Sequence, residues 1–237
     1  MTEQDLSDIW RFELRKGNSS DPRDGACLLD AVSYIEYGEL GDHPPCVCPV
    51  LAAFGRGVND AMSHEGRQRL KIFIPRLVGT VDPEAVQPRA EYLAWQAVRV
   101  FAPIALDAAG LTIMASELRR FRGSLKEAAE AASAAANAAA DANAVTAALT
   151  AAAANAVTAA LTAGTAATAV KWAAAAAPIN VAWAAEHAAS RIAESAPGTA
   201  AIIAAMEGAL AIGKQAEPIE PTRIASAQRT FAEAANL

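Results

Sequence analysis

Apolar positions recur along this chain at helical spacing, and the breaks between runs carry helix punctuation, with no run of strand alternation. Leu6, Ile9, Trp10 and Leu14 form one stripe that Gly17 closes. Asp24 offers an N-cap for a helix over 25–37, where Leu28, Val32 and Ile35 make the apolar face and Gly38 stops the chain. Pro44, Pro45 and Pro49 exclude regular structure before a helix over 50–62 that opens in its first turn on Pro49. Ser63 caps the next helix, expected to end near Ile74 before Pro75. Either Asp82-Pro83 or Gln87-Pro88 starts a longer helix through Tyr92, Trp95, Val98 and Phe101, kinked at Pro103. Gly110 separates it from a helix over 111–122.

Ser124-Leu-Lys-Glu127 reads as a capping box and opens a region dominated by alanine, the best helix former. One helix from there to Ala163 would run roughly 60 Å, so a hairpin is expected, broken near Asp141-Ala-Asn143 or at Gly164. Pro178 and Pro197-Gly198 bound a helix carrying Val181, Trp183 and Ile192; another follows over 200–212, and Pro221 opens the last. The pattern predicts an all-α fold. Composition divides it into a mixed helical domain over 1–123 and an alanine-rich helical region over 124–237, the first docked on a bundle formed by the second.

The hydrophobic fraction of 53% is inflated by alanine, since aromatic residues make up only 5%. Net charge is −6 and spread evenly, which excludes the clustered basic surface of a general nucleic-acid binder. No charge interrupts the stretch between Asp141 and Lys171, long enough to span a bilayer. Its Asn143, Asn155, Gly164 and six threonines from Thr146 to Thr168, with no aromatic belt, argue against that. The acidic, amphipathic N-terminus has no signal-peptide core, so a cytoplasmic protein is expected.

Candidate chemistry centres on Cys27, His43, Cys46 and Cys48. Thiolates and an imidazole around a proline-held loop make a tetrahedral zinc set, although the spacing is not that of common zinc motifs. The alternative is buried structural cysteines. Cys27 at a helix N-terminus also reads as a nucleophile, with His43 as base and Asp30 orienting a partner. Arg119, Arg120 and Arg122 suit either a solvated helix end or a phosphate. There is no Gly-rich phosphate loop, Ser-centred elbow or paired-carboxylate motif.

NAVTAALT occurs at 143–150 and again at 155–162. The stretch is similar to the alanine-rich helical antifreeze proteins of fish, but its offset of twelve residues winds Thr146, Thr150, Thr158 and Thr162 around the helix, so they form no flat row. DGACLLDAVSYIEYGE, DHPPCVCPVLAAFGRGVNDA, RQRLKIFIPRLVGT and AEYLAWQAVRVFAP together resemble a group of bacterial and phage-borne proteins that place such a segment ahead of an alanine-rich helical region. That resemblance covers about residues 24–110 and implies architecture without an activity. In that group charged or aromatic residues punctuate the alanine repeats, where this chain has Thr and Asn.

The expected function is therefore that of a non-enzymatic interaction or scaffold protein, binding itself or another helical partner through an alanine face around Ala147 and Ala159, with no cofactor. The alternatives are a small zinc protein built on the Cys/His loop and a cysteine-dependent enzyme.

Overall fold

A computed structural model describes residues 12–146, 158, 162–169, 171–173, 177–216 and 218–235. Its helices are α1 (Leu28–Tyr37), α2 (Pro49–Ala61), α3 (His64–Gln68), α4 (Ile74–Leu77), α5 (Pro83–Gln96) and α6 (Ala102–Ala108). There follow α7 (Thr112–Arg120), α8 (Leu125–Thr146), α9 (Pro178–Ser190), α10 (Ala196–Leu210) and α11 (Pro221–Ala235). The fold is all-α. Among the described residues the only strand-like pairing is a single bridge between Leu14 and Ala26, and no helix is long and apolar enough to cross a membrane.

Local chemistry sets most boundaries. Ser63 Oγ accepts from Gly66 N at 3.2 Å and starts α3. Ser124 and Glu127 close the expected box, with Glu127 Oε2 2.7 Å from Ser124 N and Ser124 Oγ 3.3 Å from Glu127 N. Of the two proline starts, Asp82-Pro83 opens α5, because Asp82 Oδ1 accepts from Glu84 N at 3.1 Å and Pro88 is absorbed into the helix. Ahead of Pro103, a π-helical turn over Ala97–Phe101 links α5 to α6.

Four expectations change. Residues 14–16 carry the Leu14 bridge, so the helix expected up to Gly17 does not reach it. α1 starts three residues later than Asp24 would place it, because Cys27 is its cap. Pro75 does not end the helix that Ser63 starts; a 3₁₀ stretch over Arg69–Phe73 leads into α4, where Pro75 lies in the first turn and needs no donor. α8 continues unbroken through Asp141–Asn143, about 33 Å in all, and Gly164 lies within helical residues 162–169. Residues 147–157 and 159–161, which include Ala147, Ala159 and most of the repeat, lie outside the described residues.

One core runs across the compositional boundary at 123/124. α9, from the alanine-rich half, packs against α2 and α5 of the other half, and α10 lies across the same two helices. Val181, Ala182, Ala184, Ala185, Ala188 and Ala189 make the buried face of α9. Side chains this small let helix axes approach closely without ridges to interlock. Larger groups fill the N-terminal side, where Phe54 and Phe101 stack at 6.4 Å. α11 folds back on α1, with Phe231 4.3 Å from Phe12 and 5.1 Å from Tyr34 between ring centroids.

Candidate functional site

Cys27 and Cys48 are buried at helix starts, and Cys46 is half-buried. Cys27 Sγ accepts from Asp30 N at 3.3 Å, while Asp30 Oδ2 accepts from Cys27 N and from Ser19 N at 3.0 Å each. Cysteine thus takes the serine role in a capping box, satisfying two orphan donors of α1. Burial pushes the Cys27 thiol up to about 12, and the nearby Asp30 carboxylate adds to the rise, against backbone donors that pull it down. Cys48 is fully buried at the start of α2, its N donating to Thr80 Oγ1 at 3.1 Å. Cys46 is half-buried beside the Tyr37 hydroxyl. His43 turns outward, its side chain 74% exposed and its Nδ1 2.6 Å from Asp42 Oδ1.

Among the described residues no three His, Cys, Asp or Glu side chains are grouped to hold a metal ion, so the structure does not bring Cys27, His43, Cys46 and Cys48 together as a zinc set. The reason is directional: two of the thiols face the core as parts of helix starts, and the imidazole faces solvent. The nucleophile reading meets a different obstacle, because the burial that raises the Cys27 thiol to about 12 disfavours the thiolate at neutral pH. On brief iodoacetamide treatment of the folded protein at pH 8, peptide mapping is expected to find Cys46 modified and Cys27 intact. Preferential labelling of Cys27 would restore it as a reactive group.

The outer face of α9 has a different character. Ile179 is 42% and Trp183 60% exposed, one turn apart, and His187 follows a turn later. His187 Nδ1 lies 2.9 Å from the Trp183 carbonyl oxygen and 2.8 Å from Glu186 Oε2. Both neighbours are acceptors, so this nitrogen carries the proton and donates to them. Glu186 fits a notch over Gly57 of α2, where a Cβ would stand 2.0 Å from Glu186 Cγ. Burial raises the Glu186 pKa and Asp60 adds to that, while His187 and Arg191 draw it back.

At the C-terminal end of α9 a cleft of about 350 Å³ opens among Ala61, Ile104, Ala108, Ser190, Arg191 and Glu194. Two of its hydroxyls are already committed to backbone: Ser190 Oγ donates to His187 O at 3.0 Å and Ser195 Oγ to Ile192 O at 2.8 Å. Both hydroxyls therefore serve the backbone turn that leaves α9. The threonine row is not presented at Thr162, which is buried with its hydroxyl on the Thr158 carbonyl at 2.6 Å. Comparison with protein-family models, curated proteins and solved structures matches this chain to none of them.

The sequence puts Val181, Trp183 and Ile192 on one helix without deciding which of them faces inward. Val181 and Trp183, two apart, stand about 160° from each other around a helix and cannot share one face. With Ala182, Ala184 and Ala185 all able to pack, nothing local decides which side turns inward.

Proposed function

We propose that this chain is a non-catalytic helical interaction protein that pairs with a second copy of itself through the outer face of α9. The observation that carries the reading is Trp183, 60% exposed in the middle of a stripe with Ile179. Ile179 and His187 stand four residues either side of Trp183. An antiparallel two-fold pairing about Trp183 therefore sets each Ile179 opposite the partner's His187 position, which makes the stripe self-complementary. Aromatic side chains at the centre of such a patch supply most of the binding energy of an interface. Beyond the stripe, Arg191 is exposed at the end of the helix.

Sedimentation velocity over about a hundredfold range of concentration tests this. The wild-type chain is expected to move from monomer to dimer. Trp183→Glu should remain monomeric at least about tenfold higher in concentration, with thermal stability little changed because the side chain is exposed. A wild-type chain that stays monomeric throughout, or a variant that dimerises equally well, would sink the proposal.

A further inference from the structure

Away from the α9 face, Arg99 sits in the π-helical turn that joins α5 to α6. Such turns are costly, rare, and concentrated where a side chain is being re-aimed for use. Its guanidinium lies on the Trp95 ring, with Cζ 3.9 Å from the ring centroid. Trp95 in turn stacks against Phe121 at 6.4 Å. The next residue, Arg122, donates from one guanidinium nitrogen to the Phe121 and Arg119 carbonyls, at 3.0 and 3.3 Å. Arg99 thus lies on one ring of the pair, and Arg122 is anchored to the backbone of the other.

Neither has a carboxylate partner among the described residues, whereas Arg119 nearby is paired with Asp107. Arg99 Nε is buried with no hydrogen-bond acceptor. Burial lowers its pKa, and the Arg122 charge lowers it further. Beyond Phe121 the surface continues into an apolar groove of about 210 Å³ between α7 and α8, lined by Met114, Leu118, Phe121, Ala131 and Ala135. Glu117 also lines it, which would confine an anion to the arginine side.

We infer that Arg99, lying on Trp95, and Arg122, anchored at the Phe121 backbone, bind the phosphate group of a small phosphate monoester whose apolar part lies in the groove beside Phe121. A phosphate dianion offers acceptors to both forks at once, and each guanidinium can donate in pairs to adjacent oxygens. The protein's net charge of −6 and two arginines without carboxylate partners fit one phosphoryl group better than a polynucleotide, which needs an extended basic track.

The test is titration with phenyl phosphate and, separately, with inorganic phosphate, at constant ionic strength, followed by calorimetry and by backbone amide shifts. Phenyl phosphate is expected to saturate, at least about fivefold tighter than inorganic phosphate, with shifts confined to residues near Trp95–Phe101, Phe121 and the groove. Arg99→Met and Arg122→Gln should each weaken it at least about tenfold, while Arg120→Gln, on the exposed helix end, leaves it unchanged. Arg122 is exposed, so its variant tests the site even if the Arg99 variant folds poorly. Equal loss in all three variants would reduce the effect to diffuse charge, and the absence of saturation, or equal affinity for the two probes, would overturn the proposal.

Discussion

Replacing Arg89 by methionine is expected to destabilise the fold by about 3–5 kcal/mol, from the loss of three hydrogen bonds donated by a charged group. Arg89 is wholly buried in α5. Its guanidinium donates to Thr80 O at 2.7 Å, to Ile212 O at 3.0 Å and to Lys214 O at 3.0 Å. The last two belong to the turn that leaves α10, so one side chain ties the end of α10 to the start of α5. Asp82 completes the junction by accepting from Lys214 N at 2.8 Å. That bond, chiefly, holds the Asp82 carboxyl below its usual range, with the Arg89 charge contributing. Methionine nearly fills the space but leaves the buried Thr80 carbonyl without this donor, at a cost of about 1–3 kcal/mol, and frees two partly buried carbonyls as well. Thermal unfolding should fall by about 10 °C or more. A shift of only a degree or two would mean that water replaces the guanidinium and that the staple is dispensable.

Gly198→Ala should lower stability by about 2–4 kcal/mol, although alanine in a helix interior ordinarily gains about 1 kcal/mol over glycine. Gly198 lies in the first turn of α10, and a Cβ there would stand 1.8 Å from Ile192 O and 2.6 Å from its carbonyl carbon. That oxygen cannot swing aside. It already accepts from Ser195 N at 3.0 Å and from Ser195 Oγ at 2.8 Å, and Ser195 Oγ accepts in turn from Gly198 N at 3.1 Å. The clash therefore falls on the turn that caps α10 and reverses the chain out of α9. Gly208→Ala is the matched control, because its Cβ would meet the end of the Tyr92 side chain, at 1.8 Å from the hydroxyl, which can rotate away. Urea unfolding of both variants should rank Gly198→Ala well below Gly208→Ala. Equal midpoints would show that the α9–α10 turn yields as readily as a tyrosine.

Much of the helix list was legible because its signals are local. Ser63, Asp82 and Ser124 are caps whose partners lie two or three residues away, and Pro49 suits a first turn whatever the rest of the chain does. Cys27 was legible in place but misleading in role. Its position at a helix N-terminus suggested an activated thiol, yet burial outweighs the helix terminus there and leaves the sulfur as a cap. The histidine and cysteines nearby looked like a ligand set because sequence distance is short, but side-chain direction is not a sequence distance. Arg99 carried no local mark at all; its π-turn and its place over Trp95 are visible only in three dimensions.

Alanine content, caps and prolines were thus enough to determine an all-α chain and most of its helix ends, since each depends on neighbours within a turn. Three things required the packed molecule: the insertion of α9 between α2 and α5, the outward turn of Trp183, and the burial of Arg89 against the end of α10. In an alanine-rich helix every face is equally able to be buried, so the choice falls to distant partners. Gly57, Thr80 and Ile212 make that choice here, and no spacing along the chain encodes their meeting.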